Sequence, residues 1–184
     1  AYIKRKYPQA SALWNVQTDQ PSGPADRMMV AHLMLGQAHP QTPKAIDELQ
    51  PFQPIEAAIF RALWLQQKKR LAESQKWLLK AFKQAQHDPW FHSRILVMGL
   101  ELAVYLSFKT PKASREVFSL LSKPFAVRML DEFRMMVRFN MAHNIDSKGL
   151  CLEVLRPLEP HIPWNRKLLS SRAQCYSDNK HPLA

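Results

Sequence analysis

Glycine and cysteine are both scarce, at 4 Gly and 2 Cys in 184 residues. Sheet-rich and dinucleotide-binding folds rely on Gly for hairpins, bulges and phosphate turns, so its scarcity argues against both and towards helices joined by short corners. The cysteines, Cys151 and Cys175, lie far apart without CxxC spacing. That excludes a disulfide framework or a zinc ribbon as the organising principle and leaves a single bridge between them open. Long apolar runs are missing too. The longest, Ile95 to Phe108, is interrupted by Glu101 and falls well short of a bilayer span. Lys4, Arg5 and Lys6 are followed by no apolar stretch, so the N-terminus does not read as a signal peptide.

Proline is plentiful, at 14 residues, and hydrophobic residues make up 46% of the chain, enough to bury a core. Pro is tolerated in a helix's first turn or between helices and disrupts an interior, so its positions punctuate the chain. The segments between prolines read with helical period, predicting helices over 25–38, 43–50, 54–67, 70–86, 89–108, 112–122, 124–143, 148–156 and 164–177. Residues 1–24 read as a basic, Pro-containing entry segment with a short helix near Ser11 to Val16. Thr42-Pro43-Lys44-Ala45 recurs as Thr110-Pro111-Lys112-Ala113, 68 residues on. Thr is expected to cap these helices and Pro to occupy their first turn. Weaker echoes at Ser74, Gly149-Leu150 and Ala184 bring the mean spacing to about 35 residues, which implies paired antiparallel helices stacked in series.

In the clearest unit, Ala62 and Leu65 lie on the first helix and Ser74, Leu78 and Ala81 form a small-large-small stripe on the second; Ala113, Val117 and Leu120 repeat the stripe, and Ala173, Tyr176 and Ala184 begin another unit. These residues resemble the tetratricopeptide repeat (TPR), a helix-turn-helix unit, over residues 25–184. The sequence departs from the family pattern at Glu101, where a small residue is expected, in lacking Gly after the first helix, and in displacing Pro to Pro89. The resemblance implies an all-α fold of antiparallel helix pairs stacked as a right-handed TPR-like superhelix; an irregular α-helical bundle is the alternative. With no initial Met and a helix-start signal at its last residues, the chain reads as a piece of a larger protein, truncated after about four and a half units.

Seven histidines form no HExxH and no ligand set, so no metal is expected, and exposed loop positions account for them. There is no GxSxG, no phosphate loop and no base paired with either cysteine, so neither catalysis nor a cofactor is expected. The five tryptophans read as packing anchors. The net charge of +11 concentrates between Arg61 and Lys83, where Arg61, Lys69, Arg70, Lys76, Lys80 and Lys83 form a candidate basic patch opposed by Glu73 alone. The TPR resemblance implies an apolar groove along the first helices, through Val30, Met34, Ile59, Leu63, Gln66, Met98, Leu102, Tyr105, Met135 and Phe139, suited to a peptide or helix of a partner protein. The same residues packed between helices are the competing reading. The expected function is thus a non-catalytic protein-interaction scaffold, with a basic nucleic-acid-binding repeat as the alternative. A cytoplasmic location is expected, with the periplasm or a membrane-protein tether left open.

Overall fold

Prolines open four of the helices. In a computed structural model, which describes residues 9, 21–146, 149–159 and 166–182, all regular structure among the described residues is helical. The helices are α1 (Pro24–Gly36), α2 (Thr42–Leu49), α3 (Pro54–Gln67), α4 (Leu71–Ala85), α5 (Ser93–Lys109), α6 (Pro111–Leu120), α7 (Asp131–Ile145), α8 (Leu150–Leu155) and α9 (Arg166–Asp178), with a 3-10 turn at Arg128–Leu130 before α7. Pro24, Pro43, Pro54 and Pro111 sit in first turns as expected. The expected helix near Ser11 to Val16 lies outside the described residues.

Two expected starts are late. Asp88 accepts the Trp90 amide at 2.9 Å, a side-chain turn that competes with helix, so α5 begins at Ser93 rather than Pro89. Residues 124–130 place Phe125 in the core and hold Val127 extended, delaying α7 to Asp131. The threonines do not cap. Thr42 Oγ1 donates backwards to the His39 carbonyl at 2.6 Å and Thr110 Oγ1 to the Leu106 carbonyl at 2.9 Å.

The missing glycines leave a mark at the helix ends. Ala38, Lys69 and Lys180 adopt φ of 53°, 60° and 51°. At the end of α3, the Lys69 and Arg70 amides donate to the Gln66 and Leu65 carbonyls, and equivalent pairs close α1 and α9. These are left-handed terminations of the kind usually given to Gly.

The chain divides into two compact units, residues 1–99 and 100–184. In unit 1, α1 packs on α2, α2 on α3, α1 on α3, and α3 on α4. Each helix therefore meets the next, and the two first helices of consecutive pairs also meet. Ala62, Leu65, Ser74, Leu78 and Ala81 are all buried, and Ser74 Oγ donates to the Ala62 carbonyl at 2.8 Å, locking α4 to α3. Gly99 lies where α5 crosses both: a Cβ there would stand 3.2 Å from Ile59 Cγ1 and 3.3 Å from Phe82 Cε1. The close approach on α5 is made at Gly99, whereas Glu101, where a small residue is expected, is exposed.

In unit 2, α6 packs on α7, α7 on α8, and α8 on α9. Two buried arginines of α7 reach the C-terminal end of α6: Arg134 donates to the Leu121 carbonyl and Arg138 Nε to the Phe118 carbonyl at 3.3 Å. Positive guanidinium groups there satisfy carbonyls the helix leaves open and oppose the negative end of its dipole. Arg138 also pairs with Glu153 of α8 and lies 4.5 Å above the Phe118 ring. On α6, Val117 of the expected stripe is buried, but its neighbours in the core are Ser114, Phe118 and Leu121, each one residue on from the expected register, while Ala113 is exposed and Leu120 half-buried.

Candidate functional site

In unit 2, a cleft of about 410 Å³ lies between the C-terminal half of α5, α7 and α9. Helical spacing brings Phe139, Asn140, His143 and Asn144 to one face of α7, opposite Val104 of α5 and Ser170, Ser171 and Gln174 of α9. Asn144 Nδ2 donates to Ser107 Oγ at 2.9 Å and approaches the Val104 carbonyl at 3.5 Å, tying α7 to α5 at the cleft's edge. Gln174 Nε2 donates to Asp178 at 2.7 Å, leaving its carbonyl oxygen as an acceptor. The polar lining is amide, hydroxyl and imidazole, with Val104 and Phe139 as its apolar floor.

The α9 wall is anchored from one side. Cys151 of α8 is disulfide-bonded to Cys175 of α9. Glu159, just after α8, accepts both Arg172 nitrogens at 3.0 and 2.9 Å and the Tyr176 hydroxyl. Asn179 Nδ2 donates to the Cys175 carbonyl at 2.8 Å and lies 3.4 Å from Cys151 Sγ.

Of the expected groove residues in this unit, Phe139 belongs to the cleft, Tyr105 is exposed, Met135 is half-buried and Leu102 is buried in the core. Tyr105 and Phe108 present their rings outward on α5, with the Lys109 ammonium 6.0 and 5.1 Å from their centroids. In unit 1, Val30 and Met34 line a small cleft of about 190 Å³ with Gln41, Lys44 and Glu48, facing α2. Ile59 is fully buried against Gly99, so it is core and not groove surface; Leu63, Gln66 and Met98 are half-buried.

The basic patch is partly committed. Arg61 pairs with Asp47, and its guanidinium lies 5.9 Å from the rings of both Trp64 and Trp77. Arg70 is engaged by Glu73, whose carboxyl this ion pair holds below its usual range. Lys69, Lys76, Lys80 and Lys83 are exposed, with the Lys80 ammonium 4.8 Å from the Trp77 ring. Aromatic rings therefore accompany the basic residues on this face. Trp64 and Trp77 fit the expected packing role, whereas Trp90 is 88% exposed and does not. His32 is no loop residue: it sits on α1, stacked 5.5 Å from Phe60, and burial, then Arg94 and His92, hold its imidazolium below the usual range. Among the described residues, no group of three or more His, Cys, Asp or Glu could hold a metal ion, and no helix is long and apolar enough to cross a membrane.

The chain matches no protein-family model, no curated protein and no solved structure. The polar cleft residues Asn140, His143, Asn144, Ser170, Ser171 and Gln174 were absent from the expected groove, which was read as apolar. The one sequence signal for them is Asn140 and Asn144 at i, i+4, a polar pair on a helix otherwise rich in Met and Phe.

Proposed function

We propose that this chain is a non-catalytic, TPR-like protein-interaction module, and that the cleft between α5, α7 and α9 takes an extended segment of a partner protein. The observation that carries this reading is the convergence, on one cleft of about 410 Å³, of hydrogen-bond donors and acceptors from alternate helices of the series over an apolar floor. Side-chain amides pair with main-chain N–H and C=O groups whatever the partner's sequence, while Val104 and Phe139 offer contact to one or two apolar side chains. The described lining holds no Asp, Glu, Lys or Arg to pair with a charged ligand. Stacked helix pairs also account for the packing order α1 to α4, in which each helix meets its neighbours in sequence and α1 also meets α3.

A display library of linear peptides panned against the chain tests the proposal. Selected peptides should lose at least about tenfold in affinity on combined Asn140→Ala and Gln174→Ala substitution, since two hydrogen bonds to buried ligand groups are removed, and should tolerate added salt. Selection of no peptide, or of peptides indifferent to both substitutions, overturns the reading. The second reading, nucleic-acid binding through α4, draws support from Lys76, Lys80 and Lys83, which follow one helical face and have no ion pair among the described residues.

A further inference from the structure

We propose that the cleft is completed by oxidation: the Cys151–Cys175 bridge is the clasp that holds α9 in place as its third wall. This rests on the reading of the cleft as a partner site. The α5 and α7 walls are joined independently of α9, through Asn144 and its bonds to Ser107 and Val104. On α9, Arg172 and Tyr176 bond to Glu159, and Asn179, just past the helix, approaches Cys151, so this wall is tied to the 151–159 segment. The disulfide joins those same two segments. Cys175 follows Gln174 directly and lies one turn from Ser171, so the clasp acts on the helix face next to the cleft.

Before the bridge forms, Glu159 is a polar anchor of α9, and exchange of its bonds for water costs little because it and Arg172 are both partly exposed. Closing a loop with a sequence separation of 24 removes unfolded and undocked arrangements of the helix. The chemistry is a thiol–disulfide exchange with a disulfide-bearing oxidant, such as a thiol oxidoreductase. One cysteine thiolate attacks the oxidant's disulfide and releases one of its sulfurs as a thiolate. The second cysteine then displaces the mixed disulfide. The pair loses two electrons and two protons, and the oxidant leaves as a dithiol. Once formed, both half-cystines are buried, so a reductant reaches them only when α9 opens. The proposal places the working form of this protein in an oxidising compartment rather than the cytoplasm.

Hydrogen exchange on the oxidised chain and on a Cys151→Ala/Cys175→Ala variant reads the clasp without any ligand. Amides of α9 should exchange at least about tenfold faster in the variant while those of α7 change by less than about twofold. Unchanged α9 protection overturns the proposal; so does equal loss of protection across residues 100–184, which would make the bridge a general staple of the unit. As a second variant, Glu159→Gln in the oxidised chain should leave α9 protected, and its collapse there would show that the ion pair, not the bridge, is the clasp. A peptide selected against the oxidised chain should bind the cysteine variant at least about tenfold more weakly. If no peptide is selected, the partner-site reading fails while hydrogen exchange still decides the clasp.

Discussion

His32 is a titratable group placed where charge is unwelcome. It stacks on Phe60, and burial, aided by Arg94 and His92, lowers its pKa in the folded chain. The unfolded chain, with a histidine near about 6.5, takes up this proton first as pH falls. His32 therefore leaves full stability above that value and withdraws stability as pH drops from about 6.5 to the depressed folded value, after which the loss levels off. Urea unfolding at pH 7.5 and 5.5 should show this decline, and His32→Phe should flatten the part of the slope it causes. An unchanged slope would mean that other groups set it. Such residue-level environments were the least legible part of the sequence. His32 looks like any other histidine until α3 places Phe60 beside it, and Arg134 and Arg138 look like surface charge until α6 ends against them. Each depends on a neighbour distant in sequence.

Helices were read more reliably, because apolar period and proline are local signals. The bounds of α3 agree with expectation at both ends, and those of α1, α2 and α4 to within about two residues. The misreadings share a cause. Pro89 and Pro124 each sit beside a side chain with somewhere else to go, the Asp88 carboxylate turn before the one and the buried Phe125 after the other. Proline permits a helix start without compelling one. The terminations at Lys69 and Lys180 give a prediction at this scale. Both residues hold positive φ, which costs a residue bearing a Cβ about 1 kcal/mol or more. Lys69→Gly and Lys180→Gly should each stabilise the chain by roughly 0.5–1 kcal/mol, net of the added flexibility of glycine. Chemical denaturation measures this, and a loss of stability for both would contradict the assigned terminations.

Across the whole molecule, +11 is a large charge for 184 residues, and it bears on solubility and association more than on fold. If the α4 face binds nucleic acid, affinity should fall steeply with salt, and reversing Lys76, Lys80 and Lys83 to Glu should abolish most of that salt dependence. A chain whose retention on single-stranded DNA is the same before and after charge reversal has no such function at α4. Helical architecture was legible at this scale from the Pro and Gly counts alone. The polar cleft was not, since it needs three helices separated by tens of residues to face one another, and no local pattern records that. The cysteine pair was the intermediate case: composition left one bridge open, and only the approach of α9 to α8 joins it. That bridge also alters the covalent topology. Between Cys151 and Cys175 the chain is a closed ring, so a protease that cuts once inside it, at Arg156 or Arg172, severs no piece from the molecule. The nicked protein would run as a single chain on a gel until a reductant is added, and only then release its C-terminal fragment.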